Sequence, residues 1–323
     1  MKVLIFGGTR FMGRYVLQEL LKIGASVTVA NRGTRNANNG SINVICDRSL
    51  SGALDQFSNS SFDVIIDFSA YSSEWIREAG EFFKNRISQY IFISTGAVYS
   101  NSSIFPITED FPIGPPHPFA PYALAKTTSE KMLVEFSKKG YFQAVSCRLP
   151  FVLGPDNYED RESFVFSRLL YGNPILLSNG GKSIHSFIYA GDVARAIISL
   201  IQAGAKVDKE AFNIAIPKAI TSQGFVEIAA EIFGSKPNIV SYNPEQHKVD
   251  AADFDLRNVA FPFPALNAFL SSEKIKAMTN FEPKEDLANM LKIHLTWWKE
   301  NCDPTPQKYV LEERILSELG KSV

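Results

Sequence analysis

Tyr122 and Lys126 are the residues best suited by type and spacing to move a proton. They lie four apart in Pro121-Tyr122-Ala123-Leu124-Ala125-Lys126, a stretch that reads as the start of a helix with proline in its first turn, so both fall on one helical face. A free phenol, with a pKa of about 10, is a poor base at neutral pH. It becomes one only when a cation and a helix N-terminus stabilise its phenolate. Lys126 supplies the cation and the helix start supplies the dipole, so the spacing predicts an acidified Tyr122. Alone, the pair reads equally well as a surface feature. The stretch Phe92-Ile93-Ser94-Thr95-Gly96-Ala97-Val98-Tyr99 changes its meaning. It brings two hydroxyls to the carboxyl end of an apolar strand, where doubly wound sheets bind ligands. Thr95 is the candidate to hold a substrate oxygen and orient the phenol, and Ser94 is its rival.

A second constellation suits a dinucleotide. Gly7-Gly8-Thr9-Arg10-Phe11-Met12-Gly13 joins the apolar run Val3–Phe6 to a helical pattern. A helix N-terminus presents free N–H groups and partial positive charge to a pyrophosphate. Gly7 permits the tight turn, and Gly13 lets the helix pack against the strand. Arg10 stands where a middle glycine would allow close phosphate approach. Its guanidinium either swings out to a phosphate or obstructs the cofactor. After the second strand an acidic residue would mark recognition of the ribose 2′-OH, but the chain has Asn31-Arg32 and then Arg35. Arginine suits a 2′-phosphate, which favours NADP over NAD; a solvated loop charge is the alternative. Asp47-Arg48, after the third strand, is assigned to the cofactor. Asp47 either accepts from an adenine amino group or caps a turn.

These side chains need elements to hold them. Strands are expected at Val3–Phe6, Val27–Ala30, Val44–Cys46, Val64–Ile66 and Tyr90–Ile93. Helices are expected at Arg14–Ile23 and Glu74–Phe83, with a polar loop at Asn31–Ser41. Short strands apolar on both faces, separated by helices, imply a parallel sheet covered on both sides, an α/β doubly wound fold. The alternation breaks near Pro150. A short helix at Phe164–Tyr171 follows, then a helix–strand pair, Asp192–Ile201 and Ala211–Ile214, that returns to the sheet. Further helices are expected at Gln223–Phe233, Ser272–Met278 and Leu287–Trp298.

Taken together, Gly7–Gly13, Ser94–Tyr99, Tyr122/Lys126 with Glu130, Arg148-Leu149-Pro150…Gly154-Pro155 and Phe187-Ile188-Tyr189…Asp192-Val193-Ala194 resemble the extended short-chain dehydrogenase/reductase superfamily, and within it the NAD-dependent epimerase/dehydratase family. The resemblance covers most of residues 1–215 and loosens after about 235. It implies a Rossmann domain at 1–152, with 187–215 returning to it, and a smaller substrate domain from 153–186 and 216–323. It implies Tyr122 as acid/base, Lys126 as ribose ligand and pKa modulator, Thr95 as the catalytic hydroxyl, Phe68-Ser69-Ala70 near the nicotinamide ribose, and Pro150 near the nicotinamide. With Gly7, Thr9, Arg10, Phe11, Met12, Gly13, Arg32, Asp47 and Arg48 these complete the expected cofactor contacts. Arg10 resembles an atypical branch that contains the plant chloroplast stem-loop RNA-binding proteins and bacterial relatives. His185, in Ile184-His185-Ser186-Phe187, stands where nucleotide-sugar enzymes often carry an arginine for the diphosphate.

The function expected is therefore an NAD(P)-dependent epimerase, dehydratase or reductase acting on a sugar or nucleotide-sugar hydroxyl or ketone. The alternative is a non-catalytic nucleotide-sensing or RNA-associated protein on the same scaffold. The chain of 323 residues carries 33 Lys+Arg against 34 Asp+Glu, a net charge of −1, which argues against nucleic acid as a partner. Cys46, Cys147 and Cys302 show no paired spacing, and His117, His185, His247 and His294 show no metal-ligand spacing. No metal is expected. No apolar run reaches membrane-span length, and Lys2–Phe6 reads as a core strand rather than a signal peptide. The expectation is a cytoplasmic protein with a small-molecule substrate, possible as a homodimer by resemblance only.

Overall fold

The computed structural model describes residues 1–35, 40–114, 120–249 and 261–321. His117 and part of the loop expected at Asn31–Ser41 lie outside them.

Seven parallel strands form the central sheet: β1 (Lys2–Phe6), β2 (Ser26–Asn31), β3 (Ile42–Ile45), β4 (Val64–Asp67), β5 (Gln89–Thr95), β6 (Gln143–Leu149) and, far along the chain, Glu210–Asn213. Between the last two run β7 (Phe151–Leu153), β8 (Pro174–Ser178), β9 (Ile184–His185) and β10 (Phe187–Tyr189), so Glu210–Asn213 is β11. The sheet order is β11-β6-β5-β4-β1-β2-β3. The order reverses at β1/β4, which opens a crevice at the carboxyl ends of the strands.

Helices on both faces explain why the central strands are apolar throughout. Val3 and Ile5 face α1 (Met12–Lys22) and α5 (Ala190–Ala203), whereas Leu4 and Phe6 face α2 (Ser73–Phe82) and α3 (Ala120–Lys138). Right-handed crossovers place each helix on its side. The remaining helices, α4 (Glu162–Tyr171), α6 (Ser222–Phe233), α7 (Glu273–Thr279), α8 (Leu287–Asn301) and α9 (Val310–Glu318), gather with two small sheets beyond the strand ends. One is β8 with β13 (Asn238–Tyr242). The other pairs β9 with β12 (Ile220–Thr221), and a third two-stranded sheet pairs β7 with β10. No helix among the described residues is long and apolar enough to cross a membrane.

The helix–strand pair at 190–213 does return to the sheet, with Phe212 opposite Cys147. The sequence reading overlooked β6, the pair β8/β13 and α9. β6 mixes Ser146 and Arg148 with apolar residues, and the Arg148 charge is buried against Glu130 and the Tyr99 hydroxyl. α9 is held by a buried ion pair, Arg168–Glu312, that no local pattern announces.

Candidate active site

The glycine turn closes β1 onto α1. Gly7 and Gly8 take φ of 85° and 80°, the left-handed region that glycine enters without steric cost. A Cβ on Gly13 would lie 2.1 Å from the Gly8 Cα, so the missing side chain is what lets the first helical turn lie on the loop. The N–H groups of Gly8, Thr9 and Arg10 find no acceptor among the described residues. Phe11 is buried with φ 43°. Its N–H donates to Asp156 at 3.3 Å, and Arg14 pairs with the same carboxylate at 2.8 Å. The loop after β7 is thereby tied to the turn.

From this turn a crevice of about 1270 Å³ runs past the ends of β4 and β5 to the C-terminal segment. Gly7, Thr9, Arg10, Phe11, Met12, Gly13, Arg32, Asp47, Arg48, Phe68, Ser69, Thr95, Tyr122, Lys126 and Pro150 border it. Arg10 is exposed at its edge and makes no ion pair among the described residues. The shape and donors fit a dinucleotide: a glycine cradle, unpaired N–H groups and a helix N-terminus at one end, and hydroxyls at the strand ends.

Two expectations need correction. Ala70 is not at the wall; it is buried in the apolar layer under α2. Arg48 borders the crevice, but its charge is spent inside. It pairs with Asp67 at 2.6 Å and lies 4.4 Å over the Phe6 ring, while the Tyr90 hydroxyl donates to the same Asp67 at 2.6 Å. Asp47 borders the crevice and also caps a turn, accepting from the Ser49 N–H at 3.0 Å and hydroxyl at 2.7 Å. These bonds hold its carboxyl below the usual range.

At the strand ends the two hydroxyls have different partners. Ser94 turns inward and donates to Glu130. Glu130 also grips Arg148 with a closest approach of 2.7 Å, and Arg148 donates to the Tyr99 hydroxyl at 2.9 Å. Thr95 borders the crevice beside Tyr122, and its hydroxyl accepts from the Ala97 N–H at 3.2 Å.

The phenol itself departs from expectation. Although the residue is 41% exposed, its hydroxyl end is enclosed beside Tyr71, Tyr158 and Glu159. Burial first, and those neighbours next, push its pKa above the ordinary value, against a smaller lowering by Thr95. Lys126 does not acidify it here. The ammonium donates to the Ile93 carbonyl at 2.8 Å and sits 5.7 Å from the Tyr122 ring centroid. Burial dominates Lys126 too, lowering it from 10.5 to about 8. The neutral pair, phenol with amine, is thus favoured over phenolate with ammonium.

This has a consequence for stability. Below about pH 8 the folded chain holds a buried ammonium at a cost. Between about 8 and 10.5 the folded chain has released a proton that the unfolded chain keeps, so this group's contribution to stability rises with pH. Lys126→Met is expected to flatten that rise in urea titrations; an unchanged slope would contradict the assignment.

Sequence reasoning missed several walls of the crevice. Tyr71 and Trp75 lie on the α2 side, Tyr158, Glu159, Asp160 and Arg161 follow β7, and Gln307 to Tyr309 come from the C-terminal segment. The signal for the 158–161 cluster, four polar or aromatic residues after a Gly-Pro turn, was present but had no spacing to give it meaning. Among the other histidines, His247 pairs with Glu318 and His294 meets Ser163.

The model of the NAD dependent epimerase/dehydratase family matches residues 3–215. The chain is 31% identical over 307 residues to the chloroplast stem-loop binding protein of 41 kDa b of Arabidopsis thaliana, covering 90% of this chain and 77% of that one. Among solved structures, UDP-glucose 4-epimerase of Thermotoga maritima with UDP-glucose superposes with a TM-score of 0.76 at 21% identity, covering 93% of this chain and 99% of the other. The dTDP-glucose 4,6-dehydratase of Bacillus anthracis in complex with NAD gives 0.76 at 18% identity, covering 93% and 97%. These structures share the Rossmann-type sheet described above. The chain belongs to the NAD-dependent epimerase/dehydratase family, within the extended short-chain dehydrogenase/reductases.

Proposed function

We propose that the protein is an NAD(P)-dependent oxidoreductase of the epimerase, dehydratase or reductase kind, working at a hydroxyl or ketone of a sugar-like substrate through Thr95, Tyr122 and Lys126. The observation that carries this reading is that Thr95, Tyr122 and Lys126 line the same crevice as the glycine turn. The nicotinamide, when bound, takes or gives the hydride. Tyr122 exchanges the proton at the same carbon's oxygen. Thr95 holds that oxygen and orients the phenol. Lys126, buried under Tyr122 and Tyr71, holds the ribose side of the cofactor and supplies positive charge when protonated. A phenol raised above its ordinary value is protonated at neutral pH, which suits donation to a ketone. Service as a base needs added positive charge in the crevice.

Arg32 favours NADP within this reading: it borders the crevice at the end of β2 and makes no ion pair among the described residues. A ligand that binds only the native state raises the melting temperature by mass action. NADP is expected to give the larger rise and NAD the smaller. A rise with NAD alone would remove the Arg32 argument, and none with either would remove the function. The free thiols Cys46, Cys147 and Cys302 suit a reducing, cytoplasmic setting. Homodimerisation through α3, which exposes Leu124, completes the reading, and sedimentation tests it.

The Arabidopsis relative's name favours a second reading, binding to an RNA stem-loop. A net charge of −1 counts against it, because phosphate neutralisation draws on a basic excess. Steeply salt-dependent RNA binding with no turnover of any sugar would reverse the ranking.

A further inference from the structure

One donor of the glycine turn is taken by an anion of the chain itself. Phe11 is the residue that opens α1, so its N–H is among the first N–H groups of that helix, which have no partner within it. It donates to the Asp156 carboxylate at 3.3 Å. Arg14, in the first turn of the same helix, pairs with the same carboxylate oxygen at 2.8 Å. Phe11 borders the crevice, as Gly8, Thr9 and Arg10 do. A carboxylate on a helix N-terminus makes the kind of bonds that a phosphate makes there. Asp156 therefore spends an N–H and a guanidinium that a pyrophosphate could use, and it sets a negative charge beside the cradle.

The same carboxylate anchors one wall of the crevice. Asp156 lies in the connection between β7 and α4. The residues that follow it, Asn157 to Arg161, line the crevice. Tyr158 meets the Phe11 ring edge-on, with centroids 6.3 Å apart. The rest of this connection is held without Asp156. Glu162, fully buried, accepts from the Gly154 N–H at 2.7 Å and from the Asn157 side chain at 2.9 Å. Asp160 accepts from the Tyr309 hydroxyl at 3.0 Å. Asp156 has φ 65°, in the left-handed region where asparagine is tolerated as aspartate is. Asp156→Asn thus keeps the shape and the other anchors and loses only the charge.

We propose that Asp156 is a negative determinant of dinucleotide affinity. Its carboxylate competes with the pyrophosphate for the N-terminus of α1 and for Arg14, and so links the dinucleotide end of the crevice to the wall at 157–161. By reciprocity, a ligand that presses this wall onto the turn weakens the dinucleotide, and one that draws it away strengthens it. The proposal rests on the dinucleotide-dependent function proposed above and concerns how tightly that cofactor is held.

Calorimetric titration of the full chain with NADP and with NAD tests it. Asp156→Asn is expected to bind at least one of them roughly 3- to 10-fold more tightly than the wild type at low salt, the scale of one charge acting at a partly exposed helix terminus. The gain should shrink towards onefold in about 0.5 M sodium chloride, which screens the charge. Arg14→Gln, which leaves the carboxylate without its cation, should weaken binding by a similar factor. Binding by Asp156→Asn where the wild type shows none supports the proposal in its strongest form. Where the wild type binds, an Asp156→Asn chain of equal or weaker affinity, a gain that salt leaves unchanged, or an Arg14→Gln chain of equal or tighter affinity would each overturn it, and the proposed function would stand. No binding of either dinucleotide by the wild type or by Asp156→Asn strikes the proposed function itself, and this inference falls with it.

Discussion

Tyr122→Phe is expected to lower kcat by roughly 10²–10⁴-fold, the usual worth of a positioned general acid or base, with dinucleotide affinity unchanged. The ring remains, so the packing of Tyr71 and Lys126 around it is kept. Only the hydroxyl is lost. Thr95→Val should cost less, about tenfold, because it removes one hydrogen bond and leaves the proton donor in place. Steady-state kinetics would check both. Near-wild-type turnover in Tyr122→Phe would remove the phenol from the chemistry.

The second large effect comes from a single methyl group. In Gly13→Ala the new Cβ would stand 2.1 Å from the Cα and 2.7 Å from the carbonyl carbon of Gly8. Both are backbone atoms that no rotamer change can move. Either α1 lifts from the turn or the turn opens, and each spoils the N–H cradle. Overpacking of this sort costs about 1–3 kcal/mol of stability, and dinucleotide binding should be lost altogether. Gly24→Ala is the control. Gly24 has φ 75° but nothing within 4 Å of its Cβ position, so it should lose some stability and no affinity. Calorimetric titration separates the two. Equal dinucleotide affinity in Gly13→Ala and the wild type would mean that the turn does not hold the cofactor.

What could be read from residues alone was the local part. The Rossmann half is a run of short-range patterns: apolar strands, amphipathic helices and a glycine turn between them. These fixed the element types through 5 of the first strands and the return of Ala211–Ile214 to the sheet. The site failed where long-range burial decides. Lys126 and Tyr122 share a helical face, but the Ile93 carbonyl captures the ammonium, and burial outweighs the pairing on both groups. Arg48 looked available for a cofactor until Asp67, far away in sequence, claimed it. Ser94 and Thr95 could not be ranked without Glu130 and Arg148, whose side chains pull Ser94 inward. The C-terminal wall of the crevice was illegible for the same reason: Tyr309 reaches the site through Asp160, 149 positions away.

The proposed chemistry rests on a proton-holding phenol beside the proposed nicotinamide site. The most direct measurement is the titration of Tyr122 by NMR on tyrosine labelled at Cζ, with Tyr122→Phe giving the assignment. In the free protein the signal should keep its phenol position past the ordinary value of 10.0. With the oxidised dinucleotide bound, its titration should move to lower pH, and the reduced dinucleotide should not reproduce that shift. A Tyr122 signal that titrates below 10.0 in the free protein, or that ignores the oxidised dinucleotide, would contradict the account.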